Sequence, residues 1–272
     1  MITDNVDAHC ASRPLSTGCT ESGLRIGVFT FETLKAPESA QYIVWINEMY
    51  TRRFGYDYMM HRCAASTDRP YLWNENEHYL INWSKSLMLL KHLRHYHYVM
   101  YHDADAMFVN HSYSIEQFIE QHFPKNASVV VQSDCYDNDA TMGCWNRAGA
   151  NTGLILVKNT PTAFDILKEW ANAADDERCA KIHHNHPREQ MCFQDHVIPK
   201  YSKDISVVDS DLWRGLDGTW LVHGYESRQP GFFKEMAFNT FLYFIQDELH
   251  DADTVADLAS PPWTRGHPRR EW

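Results

Sequence analysis

The sequence predicts an α/β domain with a mainly parallel central sheet. Two observations carry that reading: short apolar runs alternate with helical patterns from Leu24 to Asn172, and several of the runs end directly in polar or acidic residues. Strands alternating with helices pack as a sheet covered by helices, and such sheets bind ligands beyond the carboxyl ends of their strands. No repeat or linker divides the region from about 23 to 245, which reads as one domain between an N-terminal arm (1–22) and a C-terminal tail (246–272).

The elements follow in order. The arm lacks any periodic apolar pattern; Leu24-Arg-Ile-Gly-Val-Phe-Thr30 then forms a buried first strand with Glu32 in the loop beyond it. From Ala40 to Phe54 the apolar residues Ile43, Ile46, Met49 and Tyr50 have helical spacing, and Gly55-Tyr56-Asp57 stops the helix before a strand at Tyr58–Met60. Trp83 to Leu93 is the clearest amphipathic helix, with a stripe of Trp83, Leu87, Leu90 and Leu93. Tyr98–Tyr101 is a strand running into His102-Asp103-Ala104-Asp105. Val129–Val131, Gly153–Val157 and Trp220–His223 are further strands, and Pro161 opens a helix over Thr162–Asn172.

Composition narrows the function. The 272 residues carry 25 Lys+Arg against 36 Asp+Glu, a formal net charge of -11, with 44% hydrophobic and 13% aromatic residues. That supports a packed core and excludes a disordered or collagenous chain. Nucleic acid is not an expected partner, since its recognition needs a basic surface and the densest basic segment is the terminal Arg265–Arg270. No run approaches the roughly 18 apolar residues of a membrane span, and Met1–Glu21 is unlike a signal peptide, so a soluble, unsecreted protein is expected. Seven cysteines without a C-x-x-C pair read as reduced, buried thiols, although Cys135 and Cys144 bracket a polar loop and are placed to pair under oxidising conditions.

Three motifs carry chemistry. Asp103-Ala104-Asp105 ends an apolar strand, so two carboxylates with a small residue between them can converge on one cation. Asn151-Thr152-Gly153 reads by itself as an ordinary turn feeding a strand. His223-Gly224 sets an imidazole at a strand end beside a residue that permits close approach. Three other features have blander readings. The His183–His186 cluster is a solvated or acceptor-side loop, Asp134, Asp137 and Asp139 form a solvated turn, and Trp73, Trp145, Trp213 and Trp220 divide between core and sugar stacking, with Trp145 and Trp213 favoured for the acceptor.

In this order the pieces resemble the GT-A, Rossmann-like nucleotide-sugar glycosyltransferases. The resemblance is to glycosyltransferase family 34, the xyloglucan xylosyltransferase and yeast mannan galactosyl/mannosyltransferase group, and more loosely to the glycogenin-type family 8. It rests on Arg25–Thr30, Phe54–Asp57, Trp83-Ser84-Lys85, Tyr101–Ala106, Trp145 before Asn151–Gly153, Trp170, Glu189-Gln190, Val222-His223-Gly224 and Phe233–Asn239. It implies that Asp103, Asp105 and His223 hold Mn²⁺ (or Mg²⁺) against the diphosphate of a nucleotide-sugar donor. Thr30, Phe31, Glu32, Lys85, Ala104, Gly224 and Arg228 would line the donor site, Arg228 standing where the family tends to place a Lys. Asn151 would lie beside the transferred sugar, Gln190 near the reacting carbon, and Glu189 where the family usually has Asp. His223-Gly224 departs from the family's His-Phe-x-Gly arrangement.

The activity so implied is metal-dependent, retaining transfer of a sugar, from a UDP-sugar first of all, to a hydroxyl of an oligosaccharide or glycoprotein glycan. A homodimer is among the expected partners. Relatives of this kind carry a membrane anchor and work in the Golgi lumen, so the resemblance implies either a soluble cytoplasmic enzyme, viral or microbial, or a Golgi-lumenal one whose anchor has been removed. Two alternatives are a phosphatase of the haloacid dehalogenase type, which also uses strand-D-x-D, and a non-catalytic module binding carbohydrate or a divalent ion.

Overall fold

A computed structural model describes residues 10–11, 22–33, 40–63, 79–133, 149–173, 176–180, 188–213, 218–223 and 230–250. The spine is β2 (Ile26–Thr33), with parallel neighbours β3 (Asp57–Cys63) and β4 (Tyr98–Asp103) on either side. β4 is joined on its far edge by antiparallel β7 (Ala150–Lys158), then by β6 (Val129–Ser133) and β8 (Ile205–Val208). With the two-residue β1 (Cys10–Ala11) on the outer edge of β3, the seven-stranded order is β1-β3-β2-β4-β7-β6-β8. β3, β2, β4, β6 and β8 share one direction, while β7 and β1 oppose it. The sheet is therefore mostly parallel, as expected; β1 and β8 were not legible in the sequence, and β1 falls within the segment read as an arm without structure.

Side chains alternate across the sheet, as the pleat requires. Phe29, Val99, Tyr101, Val129, Val131, Ile155 and Val157 point to one face, where α2 (Tyr79–Leu93) and α4 (Pro161–Asn172) cover them with Leu89, Leu93, Leu167 and Trp170. Val28, Met100, Val130, Leu154 and Leu156 point to the other, meeting Tyr50 of α1 (Ala40–Arg53) and Phe118 of α3 (Ile115–His122). Strands buried on both faces read as continuous apolar runs, and that is why the central strands were legible. α4 starts where Pro161 places it, with the Thr160 side chain accepting from the Ala163 N–H. α3 is opened by a capping box between Ser114 and Gln117.

A second, two-stranded antiparallel sheet pairs β5 (Ala106–Phe108) with β9 (Leu221–His223). α8 (Pro230–His250) packs with α1 around Ile43, Ile46, Met107, Val222 and Phe244. No described helix is long and apolar enough to cross a membrane.

Two expectations need correction. Trp213 and Trp220 are core residues and not sugar platforms: both are fully buried, the Trp213 indole donates to the Val208 carbonyl, and the Trp220 indole donates to the Tyr50 hydroxyl. Cys179 of α5 (Glu177–Ala180) and Cys192 of α6 (Arg188–Cys192) form a disulfide, so these two thiols are not reduced. Cys135, Cys144, Trp73, Trp145, the acidic Asp134–Asp139 segment and the His183–His186 cluster lie outside the described residues.

Candidate metal and donor site

The site is built where β4 leaves the sheet. β4 ends at Asp103, Ala104 and Asp105 form a turn, and β5 begins at Ala106. Ala106 pairs with His223 in the β5–β9 ribbon, so the histidine is brought beside the two acids from far along the chain. One ligand atom from each of Asp103, Asp105 and His223 lies within 4.8 Å of the others. His223 Nε2 stands 3.4 Å from Asp105 Oδ1 and 3.6 Å from Asp103 Oδ2.

Each ligand is oriented by groups behind it. The Tyr101 hydroxyl donates to Asp103 Oδ1 at 2.6 Å, and the Lys85 ammonium meets the same oxygen at 2.9 Å, which leaves Oδ2 toward His223. Lys85, on α2, also bonds Glu189 Oε1 at 3.1 Å. Burial works against the Lys85 charge, but the Asp103 and Glu189 carboxylates outweigh it and lift the ammonium above its usual range. Burial likewise opposes ionisation of Asp103, and Lys85 followed by His223 more than compensates, holding the carboxyl far below the ordinary range. His223 is disfavoured as a cation by burial, yet Asp105 and Asp103 raise it to about 10.

On the outer side of the imidazole, Nδ1 lies 3.4 Å from Gln132 Oε1, while the Gln132 amide nitrogen donates to the Trp213 carbonyl. That backbone contact sets the Gln132 amide so that its oxygen faces His223, which orients Nε2 toward the carboxylates as a metal-ligating histidine requires. Gly153 closes the cradle. A Cβ built there would sit 2.1 Å from His223 Cε1 and 2.7 Å from Asp103 Oδ2, so only glycine fits. Asn151-Thr152-Gly153 is accordingly part of β7 and not the turn that its composition implied.

The donor set fits a divalent ion. Two carboxylates and an imidazole converge, and once His223 gives up its proton, as a metal ligand must, three carboxylates against one ammonium leave a charge of -2 that a dication balances. Around it, the remaining sequence-derived residues fall as follows. Thr30 is buried in β2 in register with His102, and Phe31 is in register with Asp103 at the carboxyl edge; β2 runs on to Thr33, so Glu32 lies in the strand and not in a loop beyond it as expected. Ala104 is half-buried in the turn. The Glu189 carboxylate also accepts from the Thr152 hydroxyl at 3.3 Å, Gln190 Oε1 accepts from the Thr152 N–H at 3.1 Å, and Asn151 Oδ1 accepts from the Gly153 N–H at 2.7 Å. Glu189, Gln190 and Asn151 thus gather on the backbone of the Gly153 segment. Gly224 and Arg228 lie outside the described residues. Gln132 is not singled out by the sequence, and Thr152 stands out only as part of the Asn151–Gly153 motif; a strand-end Gln and a Thr beside Gly carry no local signal of the contacts they make here.

The mostly parallel α/β sheet is similar to that of GT-A glycosyltransferase structures, and a carboxylate–carboxylate–imidazole group stands at the edge of its central strands. The family model for nucleotide-diphospho-sugar transferases matches residues 48–257, and the chain belongs to that family. Among solved structures, the chain is similar to a glycosyltransferase involved in the glycosylation of the major capsid of PBCV-1, with 16% identity, a TM-score of 0.59, and coverage of 78% of this chain and 98% of that one. It is also similar to the glycosyltransferase GlyE of Streptococcus pneumoniae TIGR4, with 12% identity, a TM-score of 0.50, and coverage of 80% of this chain and 60% of that one. None of the curated proteins compared with the sequence matches it.

Proposed function

We propose that the chain is a retaining glycosyltransferase of family 34 type that uses Mn²⁺ to move a sugar from a UDP-sugar to a hydroxyl of an oligosaccharide or glycoprotein glycan, with its catalytic domain over 23–245. The observation that carries this reading is the Asp103–Asp105–His223 group tied through Lys85 to Glu189. Asp103, Asp105 and His223 would hold the ion, which supplies charge neutralisation for the diphosphate and its departure. Lys85 keeps Asp103 ionised and aimed, and Tyr101 reinforces it. Arg228 supplies a second positive charge to the diphosphate, so no general acid is needed.

Glu189 and Gln190 lie against the Thr152 backbone and side chain, which supports a role in placing the transferred sugar together with Asn151. Glu189 shares a carboxylate oxygen between Lys85 and Thr152, an arrangement suited to electrostatic positioning more than to covalent attack. Thr30, Phe31, Glu32, Ala104 and Gly224 complete the donor-side set. All three metal ligands come from one chain, so no homodimer partner is required. The Cys179–Cys192 bond supports an oxidising compartment, such as the Golgi lumen, over the cytoplasm.

Membership in the transferase family speaks against the phosphatase alternative, and a binding module has no use for the Lys85–Glu189 pair behind the ligands. The retaining assignment is tested by proton NMR of the product: a linkage with the donor's anomeric configuration is expected, and an inverted product refutes it.

A further inference from the structure

One buried polar side chain outside the site touches the turn that carries two of its ligands. Asn47, in the middle of α1, is completely buried. Its Nδ2 donates to the Ala106 carbonyl at 2.9 Å, and its Oδ1 accepts from the Phe108 N–H at 3.0 Å. These two backbone contacts fix which end of the amide is which. The same Nδ2 stands 3.4 Å from His102 Nε2, and His102 Nδ1 is 2.8 Å from the Asp103 carbonyl oxygen. A carbonyl only accepts, so His102 carries its hydrogen on Nδ1, and Nε2 offers its lone pair to the Asn47 amide.

Asn47 therefore grips both ends of the Asp103–Ala106 turn. On one side it works through His102 to the Asp103 carbonyl; on the other it binds Ala106 and Phe108 directly. In β5, Met107 pairs with Val222 and the Val109 N–H reaches the Trp220 carbonyl, so the backbone of 106 and 108 faces away from β9. The Asn47 amide stands there as a substitute for the third strand that this two-stranded ribbon lacks. Because β9 delivers His223 by pairing with Ala106, whatever places β5 also sets the distance between His223 and the two carboxylates.

We propose that Asn47 is a positioning residue for the metal centre, setting the register in which Asp103, Asp105 and His223 converge. The proposal rests on the metal-site reading above. Groups that hydrogen-bond metal ligands from behind are worth about 10- to 100-fold in metal affinity, and Asn47, which acts one step further back through His102 and the Ala106 backbone, falls at the lower end of that range. The test is Mn²⁺ alone, titrated by isothermal calorimetry into the full chain, with Tm and the Mn²⁺ EPR spectrum measured in parallel. Asn47→Ala is compared with Ile166→Ala, which removes buried packing from α4 on the opposite face of the sheet.

Asn47→Ala is expected to weaken Mn²⁺ binding at least tenfold and to alter the EPR line shape, while Ile166→Ala lowers Tm and binds Mn²⁺ like the wild type. Should Asn47→Ala not fold, Asn47→Ser, which keeps a short hydroxyl, carries the same comparison. Mn²⁺ affinity within threefold of wild type in a folded Asn47 variant overturns the proposal, as does an equal loss of affinity in Ile166→Ala. Failure of the wild type itself to bind Mn²⁺ overturns the metal-site reading and this proposal with it.

Discussion

Replacing Gly153 with alanine puts the smallest possible side chain into the metal cradle. Its Cβ would stand 2.1 Å from His223 Cε1, 2.7 Å from Asp103 Oδ2 and 2.8 Å from His223 Nε2, where ordinary contact begins at 3.4 Å. The imidazole has to retreat by more than about 1 Å, and it has little freedom to do so, being buried and held behind by Gln132. Overpacking of this kind costs about 1–3 kcal/mol of stability. The larger effect falls on the metal, because displacing His223 from two carboxylates disturbs every ligand at once. Mn²⁺ affinity is expected to drop at least about tenfold, or about 1.4 kcal/mol.

Gly27→Ala is the matched control, since its Cβ would meet the Phe29 ring at 2.6 Å in the core, and the metal ligands are not among the atoms it would crowd. Calorimetric titration of Mn²⁺ with Tm measured on the same samples separates the two. Loss of stability in both variants and of Mn²⁺ affinity in Gly153→Ala alone is the expected pattern. Wild-type Mn²⁺ affinity in Gly153→Ala refutes the reasoning.

Two further outcomes follow from the buried charges. Lys85→Met leaves the buried Glu189 carboxylate without its cation, while Asp103 is partly exposed and keeps His223, so the cost in urea unfolding is expected at the low end of the buried-pair range, about 3 kcal/mol; a change under about 1 kcal/mol counts against the Lys85–Glu189 pair. His61 and His92 are held down to about 4 and about 3, first by burial; Lys91 adds to this at His61, and His61 followed by Lys91, His95 and Arg94 at His92. Below pH 6.5 the unfolded chain takes up protons that the folded chain refuses, so stability is complete above that pH and falls as pH drops toward 4, by at most about 1.4 kcal/mol per unit for each group. Urea unfolding at pH 7 and pH 5 checks this, and His92→Leu is expected to flatten the slope.

Legibility in the sequence tracked how local each feature is. The Asp103–Asp105 motif was readable because an apolar strand and the acids that end it are contiguous, and Pro161 announced α4 by its position alone. The α2 stripe was read less well. Leu87-Met88-Leu89-Leu90 is apolar at every position, so spacing could not choose a face; Met88 and Leu89 are buried, while Leu87 and Leu90 are only half-buried. Lys85 on that buried face makes sense only once Asp103 and Glu189 are seen to enclose it, and those partners come from different elements.

Non-local placement explains the other gaps. His223 reached the acids through the Ala106–His223 pairing, which no local pattern encodes, so it was identified by resemblance. Asn-Thr-Gly is turn chemistry and reads as a turn feeding the Gly153–Val157 strand, whereas Asn151 and Thr152 belong to β7 and what requires the glycine is the His223 ring lying across it. Trp213 sits among polar neighbours in sequence and was favoured for sugar stacking for that reason, yet tertiary packing buries it against Phe118.

If Asp103, Asp105 and His223 hold the ion on which sugar transfer depends, turnover follows both the ion and the histidine. Release of UDP from a panel of UDP-sugars, followed with and without Mn²⁺ in the wild type and in His223→Ala, tests it most directly. Mn²⁺-dependent turnover of at least one UDP-sugar by the wild type, and its loss in a folded His223→Ala protein, is the expected result. Turnover that persists without Mn²⁺, or that His223→Ala retains to within a few-fold, contradicts it.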